Sequence, residues 1–198
     1  VAVPVMFETQ DNNININGSL ERNPSSYRLP ASFKEHNASS PTNNTSRKKN
    51  YEQLKRQGFT SGLADALSKV KETFPLRIWV LDNSGSMQKA DGKRLVETSR
   101  KDQVKYITST RWEELRECSI YHVQLAALLE APTTFRLLND PGASSGEQQF
   151  GVAESDTSSM VMEVNQAQHI LRQTSPGGVT PLTRHVLDIQ QAVHVMAP

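Results

Sequence analysis

Arg77-Ile78-Trp79-Val80-Leu81-Asp82-Asn83-Ser84-Gly85-Ser86 is the stretch on which the fold turns. Residues 77–81 are rich in β-branched and aromatic side chains and are bounded by Phe74-Pro75 and a Gly/Ser turn, which predicts a buried strand. The polar run that follows sets Asp82 at the carboxyl end of that strand, where open α/β sheets bind their ligands.

Downstream, residues 94–108 read as a hairpin turning at 99–102. Thr110-Arg111-Trp112-Glu113 fits a capping box, so a helix is expected from Trp112 to about Glu130, with Pro132 ending it. Its second half, 123–129, is apolar nearly all round, as suits a helix packed on a sheet. Strands are expected at 134–138 and 149–153, and helices at about 159–173 and 181–196. Leaving the hairpin aside, the order strand, helix, strand, strand, helix, helix argues for α/β layering.

Upstream, residues 51–57 read as a short helix closed by Gly58, and a second helix starts at Thr60 or Ser61 with Leu63, Leu67 and Val70 on one face. Residues 1–50 are rich in Asn, Ser and Pro and carry no helical or strand period, so they are expected to form a disordered tail. Sequons begin at Asn17, Asn37, Asn43 and Asn44, as chance produces in an Asn/Ser-rich segment, and Arg47-Lys48-Lys49 reads as solvated linker. The expected organisation is therefore a tail over 1–50, a helical lead-in over 51–74 and an α/β part over 75–198.

Asp82, Ser84 and Ser86 alternate along a tight loop, and Gly85 lets the backbone turn so that the hydroxyls converge. A carboxylate and hydroxyls are hard oxygen donors, suited to Mg²⁺, Mn²⁺ or Ca²⁺ rather than zinc. A second polar loop, Gly177-Gly178-Val179-Thr180-Pro181-Leu182, precedes the last helix; Thr180 is placed as its N-cap with Pro181 at the first helical position. That loop can bring a fourth oxygen to the same point.

These residues resemble the metal-ion-dependent adhesion site (MIDAS) of von Willebrand factor type A (vWA) domains, whose signature is Asp-x-Ser-x-Ser after the first strand plus a distant Thr. The match covers about residues 75–198, roughly the first two thirds of such a domain. The resemblance implies a Rossmann-like sheet in strand order 3-2-1-4-5-6, of which this chain would hold strands 3-2-1, with its first strand left as an edge. It also implies a cation with an open coordination position that an acidic residue of a partner protein fills. Residues 87–109 depart from the family, which runs straight from the motif into its first helix. A further Asp, which the family draws from a later strand in an Asp-Gly context, is not reached before Pro198.

Other chemistries fit less well. Aspartic proteases need Asp-Thr/Ser-Gly, and Asn83-Ser84 is out of phase; in a phosphotransferase of the Asp-x-Asp type Ser84 would stand where the second acid belongs. Cys118 and His122 lie i, i+4 on one helix without a second pair, which reads as a packed or half-exposed face rather than a soft-metal site. His169, His185 and His194 share no spacing, Glu163 and Asp188 read as solvated helix charges, and Trp79 and Trp112 as core or core-rim residues. Asp91, inside the 87–109 insertion, is the one acid there that could approach the cation. No nucleophile has a recognisable base beside it and no glycine loop cradles a phosphate, so the expectation is a binding module and not an enzyme. Its rivals are a truncated or degenerate copy without a working site, and a metal-assisted hydrolase, disfavoured for want of a general base.

Bulk properties agree with a domain plus tail. The chain has 198 residues, 36% hydrophobic, with mean hydropathy −0.55 and net charge +1, so no global field points to nucleic acid or an anionic membrane. No apolar run approaches the ~20 residues needed to span a bilayer. Cys118 is the single cysteine, and no charged-then-apolar leader opens the chain, which together lead to the expectation of a reducing, cytoplasmic setting.

Overall fold

The structure, a computed structural model, describes residues 43–74, 76–97, 103–154 and 159–194. The expected tail through residue 42, the hairpin turn at 99–102, Pro75 and the last helix beyond residue 194 lie outside these. The architecture is mixed α/β: a three-stranded sheet, a separate hairpin and helices on both sheet faces.

Three strands form the sheet: β1 (Ile78–Leu81), β4 (Thr133–Leu137) and β5 (Gln149–Val152), in the order β1-β4-β5. β1 runs parallel to β4, with Trp79 beside Phe135, and β4 runs antiparallel to β5, with Phe135 beside Phe150. The three rings stack across the strands at centroid separations of 6.3 and 5.6 Å. Phe135 and Phe150 belong to the main core, with Leu81, Val123, Leu137, Val152, Ile170 and Leu171, and Trp79 packs half-buried against it.

α4 (Arg111–Leu128) and α5 (Met160–Gln173) cover this aromatic face. The apolar girth of α4 has a direct reason, because it is sandwiched. Ile120, Val123 and Ala126 face the sheet core, while Leu125 and Leu129 join a second cluster with Leu54 and Ala64. That cluster belongs to α1 (Asn43–Arg56) and α2 (Ser61–Ser68). α2 ends at Ser68, and a separate turn, α3 (Val70–Thr73), takes Val70 off the expected single helix; Leu63 is exposed.

α1 begins at Asn43, inside the stretch expected to be tail. Its own apolar period is weak, and its support is tertiary: Leu54 and Asn50 are buried, and Arg47 reaches Asp65 of α2 at 3.2 Å. Arg47 is thus part of a helix–helix contact and not of a solvated linker. Asp65, also bonded by Lys69 at 2.6 Å, is held below its ordinary carboxylate range by Lys69 and then Arg47.

The expected hairpin is present as β2 (Gly92–Glu97) antiparallel to β3 (Val104–Ser109). The Arg111 N–H donates to the Lys89 carbonyl at 3.0 Å, so the excursion leaves and returns at one point and does not displace α4 from β1. Bidentate bonds of 2.6 Å each from Arg111 occupy Asp91, whose carboxyl they lower. On the opposite sheet face Arg136, which alternates with the core residues Phe135 and Leu137, bonds His185 of α6 (Leu182–His194). No helix among the described residues is long and apolar enough to cross a membrane.

Candidate functional site

The chain turns sharply as β1 ends. The Ser84 N–H donates to Asp82 Oδ1 at 2.8 Å, a side-chain turn of the kind Asp favours, and a 3₁₀ turn follows over Gly85–Gln88. Ser84 and Ser86 are thereby set with their hydroxyls 3.1 Å apart. Asp82 is half-buried, Ser86 is exposed and Ser84 is only 1% exposed. Three of the four expected donors therefore share one turn.

The second loop docks onto this turn through its backbone. Gly177 N–H donates to the Asn83 carbonyl at 2.8 Å, and Gly85 N–H donates to the Gly178 carbonyl at 3.1 Å. Gln88 adds a bond to the Pro176 carbonyl at 2.7 Å. Gly178 sits at φ +74, and a Cβ there would lie 2.8 Å from Asn139 Oδ1, so both conformation and space call for glycine. Thr180 follows this docked segment directly and is exposed. The helix starts one residue later than expected: α6 opens at Leu182, and the Pro181 carbonyl accepts its first bond, from His185 N–H at 3.4 Å.

Two asparagines that the motif reading passed over hold the loops together. Asn83, 1% exposed, pairs its side-chain amide with both backbone groups of Asn139: it accepts from Asn139 N–H at 2.7 Å and donates to the Asn139 carbonyl at 2.9 Å. This side-chain pair extends the β1–β4 ladder past Leu81 and Leu137. Asn139 in turn donates to the Val179 carbonyl at 2.8 Å. The available signal was an Asn just beyond each of two adjacent parallel strands.

A buried polar cluster lies beneath α6. Arg136, in the middle of β4 and 2% exposed, donates to His185 Nδ1 at 2.7 Å and Gln149 Oε1 at 3.1 Å, and approaches Asp188 Oδ2 at 3.4 Å. Asp188 is thus the counter-charge of a buried guanidinium and not a solvated helix charge. An arginine between Phe135 and Leu137 in an expected strand was the signal, since a buried charge requires partners. Glu163 is half-buried rather than solvated. It stands near Glu154, whose carboxyl is pushed up by burial against the Thr134 bond, with Glu163 adding to the rise.

Cys118 is exposed, and His122 packs tilted on Trp79 at 4.3 Å with its pKa lowered by burial. Trp112 is buried and donates to the Thr174 carbonyl at 2.9 Å, a core residue as expected. Among the described residues no three His, Cys, Asp or Glu side chains cluster as metal ligands. A cation at Asp82 would therefore rest on a single carboxylate and on hydroxyl oxygens. No family profile matches the chain, and neither a curated protein nor a solved structure matches it significantly.

Proposed function

We propose that the chain is a non-enzymatic protein-binding module of the vWA type, in which Asp82, Ser84, Ser86 and Thr180 hold Mg²⁺, Mn²⁺ or Ca²⁺. A carboxylate of a partner protein completes the cation's coordination. The observation that carries this reading is the docking of the distant glycine loop: Gly177 bonds Asn83 and Gly178 bonds Gly85, so the segment leading into Thr180 lies against the Asp82–Ser86 turn. Support also comes from the sheet order, with β1 at an edge beside parallel β4 and then antiparallel β5.

The donor chemistry fits a hard cation, which prefers carboxylate and hydroxyl oxygen. Asp82 supplies the one formal negative charge of the set, so a doubly charged ion retains positive charge and favours an anionic partner group. The single Cys118 fits a cytoplasmic setting. Thermal melting of the chain with and without Mn²⁺ tests the proposal: the cation raises the midpoint, and Asp82→Ala abolishes the rise.

A second reading, a degenerate copy without a working site, is favoured by one observation. Ser84 N–H already satisfies Asp82 Oδ1, and the two serine hydroxyls already satisfy each other. On that reading Asp82→Ala lowers the midpoint in cation-free buffer, and Mn²⁺ shifts neither protein.

A further inference from the structure

α6 is held to the sheet in an unusual way. Of its described side chains only His185 is buried, while Leu182, Val186 and Leu187 are exposed. The inward stripe is His185, Asp188, Ile189 and Ala192: the two apolar residues are only half-buried, while His185 and Asp188 bond Arg136 of β4 and His185 also bonds the Leu138 carbonyl just past it.

The protonation state of His185 follows from its partners. Arginine Nε–H is a donor only, so at 2.7 Å the His185 Nδ1 is its acceptor and carries no proton. The Leu138 carbonyl is an acceptor only, so at 2.8 Å the His185 Nε2 carries the proton and donates it. The ring is neutral, with both nitrogens engaged. A proton added at Nδ1 would set N–H against N–H and one cation against another, where His185 is 4% and Arg136 2% exposed.

We propose that Arg136, His185 and Asp188 form a proton-sensitive latch, in which neutral His185 holds α6 on the sheet and its protonation releases α6 and loosens Thr180, which lies between α6 and the glycine loop that Asn83, Gly85 and Asn139 hold in place. The charged groups that act on the ring are Arg136 from β4 and Arg184 and Asp188 from α6 itself. Burial lowers the His185 pKa most; the Leu138 carbonyl opposes that, Arg136 and Arg184 reinforce it, and Asp188 opposes it. A folded pKa below the unfolded value means that the unfolded state binds the proton more readily. The latch's stabilisation is therefore complete above the ordinary histidine value of 6.5 and is lost as pH falls from there through the folded pKa.

The latch stands without any cation. Its consequence for Thr180, weaker cation binding at low pH, rests on the proposed function. Hydrogen-exchange protection across residues 182–194, corrected for intrinsic rates, separates the two when read beside Mn²⁺ affinity at about pH 7.5 and about pH 5.5. Protection of α6 is expected to fall at the lower pH while α4 stays protected, with Mn²⁺ affinity falling in parallel. His185→Gln can still accept from Arg136 and donate to Leu138, and is expected to remove the pH response of α6. In the wild-type chain, imidazole ¹⁵N shifts report the Nε2–H tautomer directly, whatever the variant's folding. Unchanged α6 protection at low pH, or a His185 already protonated at the higher pH, overturns the latch. Opening of α6 with unchanged Mn²⁺ affinity overturns the coupling, and no Mn²⁺ binding at either pH overturns the cation reading while leaving the latch to the exchange data.

Discussion

Asn83 does more for the site's geometry than its place between two motif residues suggests, because its amide serves both backbone groups of Asn139 and its carbonyl accepts from Gly177. Asn83→Ala leaves those groups without their partners in a mostly dry place, and is expected to cost about 2–3 kcal/mol in a urea titration. A loss below about 0.5 kcal/mol would mean that the pairing is not a structural clamp. Asp82, Ser84 and Ser86 were legible as oxygen donors because their spacing and side chains carry the chemistry. Asn83 and Arg136 were not, since their roles depend on what a neighbouring strand and a later helix present to them. Thr180 was legible as the residue following a glycine loop, yet its expected capping position is displaced by one residue.

At the level of elements, local signals read well and tertiary ones poorly. The α4 capping box is complete: Glu113 N–H donates to Thr110 Oγ1 at 3.1 Å, and Thr110 N–H donates to Glu113 Oε2 at 2.9 Å. The sequence places its other end at about Glu130, ahead of Pro132, and the helix closes there, with Leu128 as its last residue, in a Schellman motif. Ala131 N–H bonds the Ala126 carbonyl at 2.9 Å, Glu130 N–H bonds that of Ala127 at 3.0 Å, and Glu130 sits at φ 49. A non-glycine residue in that conformation carries a steric penalty, whereas the Glu130–Lys71 contact at 3.7 Å is exposed and contributes little. Glu130→Gly is accordingly expected to stabilise the chain by about 1 kcal/mol, read as a higher urea midpoint with unchanged slope; a lower midpoint would refute the strain argument. The early start of α1 at Asn43 escaped the sequence for the opposite reason, because docking on α2 and not periodicity supports its first turns.

For the molecule as a whole, the side of β1 away from β4 is the feature that bears on association in solution. Carbonyls of Arg77 and Leu81 accept from Thr134 N–H of β4 and from Leu138 N–H just past it, so the alternate peptide groups of Ile78 and Val80 face the other edge. No strand among the described residues pairs with that edge, and β1 carries no charged residue to blunt it. Sedimentation of the 198-residue chain is therefore expected to show mass increasing with concentration; a single monomeric species throughout would mean that the edge is protected. The cation claim is most directly tested by Mn²⁺ titration of the wild-type chain and its single variants, followed by the melting midpoint. A saturable rise is expected, abolished in Asp82→Ala, weakened by roughly 1–2 kcal/mol of binding free energy in each of Ser84→Ala, Ser86→Ala and Thr180→Ala, and unchanged in Cys118→Ser and His122→Ala. A rise that survives Asp82→Ala and disappears in His122→Ala would contradict the account and move the site to α4.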